Sequence, residues 1–258
     1  MEKNFLLKIA YDGSCFSGWQ KQPDKRTVQG TLEDTLSAFT GIQIKLNGTS
    51  RTDAGVHALG QCASFSGEFS IPPEGLMKAA NDRLSGGMNR KNNVGDVEIL
   101  SIEEMPPDFH ARFDCKGKTY RYVINSSPER DIFRRNYCYW IPERLDTDAM
   151  RLAAGYIIGE HDFKAFQASG GTERETTVRT ITDVSVFTSD EKADDVIIEV
   201  TGDGFLYNMV RIITGTLVEV GLGKRTPESV RDTIESEDRA RAGHTAPAEG
   251  LYLKEIYF

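Results

Sequence analysis

The sequence has no long hydrophobic run and no closely spaced cysteines. Charged residues such as Lys8, Arg211 and Glu219 interrupt its apolar stretches, so none reaches a length of about 20 residues, which a membrane-spanning helix needs. The apolar part of residues 1–8 is too short for a signal peptide. The four cysteines are scattered, with no Cys-x-x-Cys pair and no histidine at metal-ligand spacing. This pattern favours reduced thiols over disulfides or zinc, and we expect a cytoplasmic protein with no membrane segment and no metal.

The sequence also has no excess of positive charge, and its net charge is −8. A protein that neutralises phosphates usually carries a basic surface, so the total argues against a nucleic-acid partner. Residues 112–135 are a local exception, with seven basic side chains against three acidic ones, whereas acids concentrate in segments such as 190–195. Local clusters determine the field that a ligand meets, so an RNA-binding surface remains compatible with the composition. The alternative to an RNA-binding surface is that residues 112–135 form a basic strand and loop that contact only solvent.

Hydrophobic periodicity in the first half predicts the order strand, helix, strand, strand, helix, strand, which is typical of the ferredoxin-like arrangement. The predicted strands are 5–11, 42–46, 62–65 and 97–105, and the predicted helices are 27–40 and 72–84. Pro106 and Pro107 then mark a domain boundary. We therefore predict a first domain over residues 1–107.

The second half, residues 108–258, repeats this layout coarsely. Its predicted strands are 118–124, 178–187, 196–200 and 248–256, and its predicted helices are 150–157, 205–220 and 227–234. The pattern predicts an α+β fold of two ferredoxin-like halves, fused through one antiparallel sheet, with helices on the outer face and a central cleft.

A polar segment over residues 50–58 joins two strand-like runs and carries Arg51, Asp53 and Gly55. Polar loops on a rigid scaffold commonly aim side chains at ligands, and Gly55 permits a tight turn. An alternative is a capping box, in which Ser50 and Asp53 close the first turn of a short helix and Arg51 is a surface charge.

For three further features, a purely structural role is an alternative to a functional one. Trp19 lies in a polar loop that could contact bases, although a buried tryptophan more often anchors a loop. Tyr120 and Tyr122 face the same side of their predicted strand and could both be core residues. His161 resembles a general base by residue type, but nothing in the sequence pairs it with a nucleophile, so we interpret it as part of a loop.

Residues Arg51 to His57 resemble the signature of the pseudouridine synthases that modify the anticodon stem-loop of transfer RNA. Lys118-x-Tyr120 is similar to the second motif of that family and 205–211 to the third, while 250–253 resembles its C-terminal element. The resemblance extends from residue 18 to residue 253. Two departures are Ser50, where glycine is usual, and Asn208, where histidine is frequent; neither is expected to touch the chemistry.

The resemblance implies a reaction and the residues that carry it out. Uridines 38, 39 and 40 of transfer RNA would become pseudouridine, and a homodimer would contact one RNA. Asp53 would be the catalytic carboxylate and nucleophile, Arg211 its ion-pair partner, and Tyr120 would stack on or hydrogen-bond the base. Arg51 would occupy the space that the extruded base leaves, and Lys118 and Arg112 would be further RNA contacts.

This isomerisation involves neither a redox change nor phosphate transfer, so we expect no nucleotide cofactor and no metal. Two alternatives come from other classes. A non-catalytic RNA-binding module could use two ferredoxin-like units, although the sequence has no aromatic run like that of the RNA-recognition motif. A glycosidase commonly needs two carboxylates, and the motifs supply one.

Overall fold

The computed structural model describes residues 2–86, 95–171 and 175–258. They form two compact units, Met1–Lys116 together with Leu253–Phe258, and Gly117–Tyr252. Within the described residues, no helix has both the length and the apolar character that crossing a membrane requires.

The strands in chain order are β1 (Lys3–Tyr11), β2 (Asn47–Gly48), β3 (His57–Gly67), β4 (Val97–Met105), β5 (Gly117–Ser126), β6 (Tyr139–Ile141), β7 (Gly159–Asp162), β8 (Val178–Thr188), β9 (Asp195–Gly202) and β10 (Leu251–Tyr257). The helices are α1 (Val28–Thr40), α2 (Pro73–Leu84), α3 (Thr147–Gly155), α4 (Met209–Gly221) and α5 (Ser229–Ser236). The predicted α+β class is confirmed.

The sheet of the first unit has the order β4-β1-β3, and β3 also pairs with β2 and β10. The pairs β1–β3, β1–β4 and β2–β3 are all antiparallel, as in a ferredoxin-like sheet. Alternate residues of β1, among them Phe5, Leu7 and Ile9, are buried, because a strand presents every second side chain to the core. Helix α1 buries Val28 and Leu32 in the same way at helical spacing.

The predicted strand over 42–46 is wrong, because only Asn47 and Gly48 pair with β3. Ile44 and Leu46 are buried as the alternation requires. However, the backbone N–H of Ile44 donates to Ser37 Oγ at 2.9 Å, and that of Leu46 donates to Glu33 Oε1 at 3.0 Å. Side chains of α1 therefore take the hydrogen bonds that a neighbouring strand would have taken.

The division between the units falls after Lys116, later than the predicted boundary after Pro107. Asn4 Nδ2 donates to the carbonyl oxygens of Pro106 and Phe109, at 3.1 and 2.6 Å. Ser64 Oγ accepts a hydrogen bond from the backbone N–H of Ala111 at 3.1 Å. These bonds fasten the segment after the prolines to the first unit.

The second unit has the strand order β5-β9-β8-β7, with β6 added to β5 in parallel. Its β5-β9-β8 part repeats the β1-β3-β2 order of the first unit, as the coarse layout predicts. The segment containing His161 forms the edge strand β7, which the sequence pattern does not predict. His161 Nε2 donates to the carbonyl oxygen of Ile158 at 3.1 Å, which is a structural contact.

Helix α4 begins at Met209, later than the predicted start at residue 205. The preceding Asn208 has a φ of +60°, in the left-handed region, so no regular helix passes through it. The helix is buried around most of its circumference, including Val218, which the pattern assigns to the outer side. Arg211 and Glu219 are only half-buried.

Candidate active site

Residues 50–56 form an irregular loop that leads into β3, and no helix follows Ser50. The capping-box interpretation is therefore wrong. The loop turns where the backbone N–H of Val56 donates to the carbonyl oxygen of Asp53 at 3.2 Å. Gly55 has a φ of +81° in this turn, a conformation that favours glycine. The loop places Asp53, which is half-buried, immediately before that turn.

Gln61 on β3 fixes the start of the loop. Its Nε2 donates to the carbonyl oxygen of Ser50 at 2.8 Å, and its Oε1 accepts from the backbone N–H of Ser50 at 3.3 Å. Gln61 has no solvent exposure, so water cannot replace either bond. Loss of this side chain would leave two buried backbone groups of Ser50 without these partners.

Thr52 is held from the other side by β1 and the loop that follows it. The hydroxyl groups of Tyr11 and Thr52 are 2.7 Å apart, and the backbone N–H of Trp19 donates to the Thr52 carbonyl oxygen at 3.0 Å. Trp19 is only 1% exposed, so it anchors the loop rather than offering a ring to a base. Gly18 has a φ of +87°, and a Cβ atom there would lie 2.7 Å from the same carbonyl oxygen.

Gly13 fixes the end of the loop. A Cβ atom on Gly13 would lie 2.0 Å from the carbonyl oxygen of Val56, so only glycine fits. The backbone N–H of Gly13 also donates to Nδ1 of the buried His57 at 3.1 Å. The backbone is thus fixed on both sides of Asp53, which restricts where the Cα atom of Asp53 can lie.

Tyr120 and Lys118 lie on β5 in the second unit. Tyr120 pairs with Val200 of β9, is 8% exposed, and packs edge-to-face against Phe205 with ring centroids 5.1 Å apart. Tyr122 is fully buried and donates from its hydroxyl to the carbonyl oxygen of Pro247 at 2.6 Å. Burial raises the pKa of Tyr122 well above its ordinary value, so this tyrosine is a neutral core residue.

Arg211 lies in the first turn of α4, and two oxygens of the second unit hold its guanidinium. Its Nε donates to the carbonyl oxygen of Ala246 at 2.7 Å, and its Nη1 donates to Oδ1 of Asn208 at 2.9 Å. The backbone N–H of Ala246 donates in return to the Arg211 carbonyl oxygen at 3.1 Å. Asn208, one of the two departures from the family motifs, therefore contacts the side chain that is predicted to pair with the carboxylate.

Two members of the basic cluster 112–135 are occupied in ion pairs. Arg121 Nε donates to Glu199 Oε1 at 2.8 Å, and Arg134 makes a bidentate pair with Asp195 at 2.8 and 2.5 Å. The hydrogen bond to Asp195 raises the pKa of Arg134. Asp195 is only 4% exposed, so this member of the acidic segment 190–195 is not a solvated surface charge. The pattern missed these pairs because their acidic members lie on β9, far along the chain.

The predicted site residues fall into both units. Asp53, Arg51 and Arg112 belong to the first unit, and Arg51 and Arg112 are exposed. Tyr120, Lys118 and Arg211 belong to the second. Arg51 and Asp53 share one loop, and Lys118 and Tyr120 share one strand, while the roles of all six residues stay predictions. Within the described ranges, no three His, Cys, Asp or Glu side chains form a group that could hold a metal ion.

Sequence reasoning did not identify the residues that fix the loop. Asp12-Gly13 is recognisable as a turn after β1, which is a weak signal for the close approach to Val56. Gln61 gives no signal, because a glutamine in a strand is ordinary and its contact with Ser50 depends on the register of the fold.

The sequence also matches known proteins. The model of the family described as tRNA pseudouridine synthase matches residues 8–114 and 153–258. A protein of Clostridium tetani named tRNA pseudouridine synthase A 2 is 48% identical over 261 residues, which cover 100% of both chains. Two proteins named tRNA pseudouridine synthase A, from Acetivibrio thermocellus and Caldicellulosiruptor bescii, are 48% and 43% identical, and each match covers 99% of this chain and 100% of the relative. A match of this extent shows that the chain belongs to the tRNA pseudouridine synthase family.

Proposed function

We propose that this chain converts uridines 38, 39 and 40 in the anticodon stem-loop of transfer RNA to pseudouridine, with Asp53 as the catalytic carboxylate. The observation that carries the proposal is the fixation of the loop around Asp53 by Gln61, Tyr11 and Gly13. A reacting group must be held close to its productive geometry, and bonds on both sides of Asp53 serve that need. The type of reaction is inferred from the family to which the chain belongs.

The reaction rearranges bonds within one nucleotide. The glycosidic N1–C1′ bond breaks, the uracil rotates, and a new bond forms between C5 and C1′. The proton on C5 is lost and N1 gains one, so the atoms balance without an oxidant or a cofactor. An ionised carboxylate beneath the sugar would either attack C1′ or deprotonate the cationic sugar that develops. We assign this carboxylate to Asp53 and leave these two routes open.

Arg211 is proposed as the cation that keeps Asp53 ionised. A guanidinium beside a carboxylate favours its charged form and fixes its direction. Support comes from the two bonds that orient Arg211, which use Nε and one donor of Nη1. Arginine has five N–H donors in one plane, so these bonds set the direction of the remaining ones.

Tyr120 is proposed to contact the detached uracil. Its ring is fixed by β5 and by Phe205, which suits a rigid stacking surface. Extruding a base from a stem costs a few kcal/mol, and the exposed Arg51 is proposed to fill the space that the base leaves. Lys118 and Arg112 are proposed contacts to the RNA backbone.

The test is incubation of the purified protein with unmodified transfer RNA, followed by position-specific detection of pseudouridine. Wild type is expected to modify positions 38–40. D53N is expected to form no product and to bind RNA with nearly unchanged affinity. D34N removes a carboxylate on α1 whose side chain is 76% exposed, and as the matched control it should behave like wild type.

Two results would overturn the proposal. One is product formation by D53N at the wild-type rate. The other is binding of transfer RNA by wild type without pseudouridine at any of the three positions, which would favour a non-catalytic RNA-binding module.

We also propose that the protein acts as a homodimer in the cytoplasm. Ile132 and Phe133 are 62% and 82% exposed on a short turn, and adjacent apolar side chains of this kind suit contact with a second copy. All four cysteines are free thiols, as reducing compartments favour. Sedimentation equilibrium should give twice the chain mass of 28.7 kDa for wild type and a shift toward monomer for F133S. A wild-type monomer would refute the dimer, and activity recovered only in a membrane fraction would refute the compartment.

A further inference from the structure

We propose that Asn208 is a positioning residue, which orients Arg211 for its ion pair with Asp53. The inference rests on the proposed function and deepens it.

Asn208 occupies the N-cap position of α4, but its side chain accepts no hydrogen bond from the N–H groups of the first turn. Asparagine is favoured at N-caps because its side-chain oxygen normally satisfies one of those N–H groups. Here Oδ1 accepts from Arg211 Nη1 at 2.9 Å. The side chain therefore contributes to the placement of a cation instead of capping its own helix.

Hydrogen bonds fix the backbone around Asn208, which restricts the positions that its side chain can reach. The backbone N–H of Met209 donates to the Leu206 carbonyl oxygen at 3.1 Å, and that of Ala168 donates to the Tyr207 carbonyl oxygen at 3.1 Å. The carbonyl oxygen of Asn208 accepts from the N–H of Ile212 at 3.0 Å. Its φ of +60° is a conformation that asparagine tolerates better than most other residues. Asparagine therefore fits this backbone conformation and also supplies a short amide oxygen.

Two contacts are needed to orient a planar guanidinium. The Ala246 carbonyl oxygen holds Nε, and Asn208 holds Nη1 on an adjacent branch of the group. Loss of the Asn208 contact would remove one of these two restraints on the direction of the guanidinium. Loss of Oδ1 should therefore change the direction of the donors that the pair with Asp53 requires, while the charge of Arg211 stays in place.

The central variant is N208G, because glycine keeps the left-handed backbone and removes only the side chain. N208D keeps an oxygen at the same place and tests rescue. E237G is the matched control, since Glu237 also has a positive φ of 51° and its exposed side chain pairs only loosely with Lys164, at 3.4 Å. Should N208G be unfolded at the assay temperature, all variants are compared with wild type at a lower temperature at which each is folded.

N208G is expected to lower kcat roughly 10- to 100-fold, because misplacement by about 1 Å can cost that much, with KM for transfer RNA nearly unchanged. The acid limb of its kcat–pH profile should move to higher pH, since Asp53 loses part of the cation that favours its charged form. N208D should lie closer to wild type than N208G, and E237G should match wild type. R211K and N208G/R211K should have similar kcat values, because Asn208 acts through Arg211.

The inference is overturned if N208G keeps the wild-type kcat and pH profile, or if the effects of N208G and R211K multiply in the double variant. It is also overturned if N208D is no better than N208G. An active D53N would instead overturn the proposed function, so the two failures are distinguishable.

Discussion

Gly13 lies directly against the carbonyl group of Val56, with no room for even a methyl group between them. The contact joins the turn after β1 to the end of the loop that carries Asp53. This packing contact fixes the position of the end of that loop.

G13A is expected to destabilise the protein by about 1–3 kcal/mol and to lower activity, because a Cβ atom 2.0 Å from the Val56 carbonyl oxygen must displace the loop. Thermal melting and the pseudouridine assay, at a temperature where both proteins are folded, measure the two effects. G155A is the matched control, since a Cβ atom on Gly155 meets nothing within 4 Å. Equal melting temperatures for G13A and G155A would contradict the prediction.

Q61A is expected to lower stability by about 1–3 kcal/mol, because buried N–H and C=O groups of Ser50 lose their partner. Activity should fall as well, since the start of the loop is released. Urea denaturation gives the stability change. Q43A replaces a glutamine on the exposed side of its segment and should have almost no effect, and a Q61A protein as stable as Q43A would count against this role.

D195A is expected to cost about 3–5 kcal/mol, because it leaves the Arg134 guanidinium without the carboxylate of a largely buried pair. The control is E104A, which breaks the exposed pair with Lys3 and should cost about 0–1 kcal/mol. Both changes can be measured by urea denaturation at low and high salt. Similar losses in the two variants would show that the buried pair is not a stabilising contact.

The stability of the folded protein should fall as the pH rises from about 8.5 toward 12, in part because of Cys62. Burial raises the pKa of this thiol from 9.0 to about 12. In the unfolded chain a cysteine ionises near pH ~8.5, so between these values the unfolded state binds fewer protons than the folded state. Each pH unit then removes up to about 1.4 kcal/mol from the free energy of unfolding.

C62A isolates that contribution. The free energy of unfolding of wild type minus that of C62A should decrease between pH 8 and pH 10 in urea titrations. Parallel curves for the two proteins would mean that Cys62 does not contribute. Below pH 8 the difference should reflect packing alone.

Long periodic elements such as α1, α2 and β1 could be predicted from the sequence, because their hydrophobic spacing results from burial on one side. Residues 42–46 show the limit of this reasoning. Their alternation correctly predicts which side chains are buried, but burial does not determine the partner of the backbone N–H groups. Ser37 and Glu33 take that role, and a pattern within one segment cannot reveal it.

For the candidate site, too, some features could be predicted from the sequence and others could not. The residue types at 51, 53, 120 and 211 could be identified by their resemblance to the family motifs. The residues that hold these groups could not be identified, because the hydrogen bonds of Gln61 and Asn208 depend on the register and the turn geometry. Asn208 is instructive, since it stands where the family motif is not strictly followed.

The last strand has a consequence for synthesis of the chain on the ribosome. Residues 253–258 belong to the first unit, where β10 lies beside β3 and the carbonyl oxygen of Tyr257 accepts from the N–H of Lys116. All residues of the second unit are translated before that segment emerges. The unit that carries Asp53 is therefore translated first but can be completed only last, and until then its β3 edge lacks a strand.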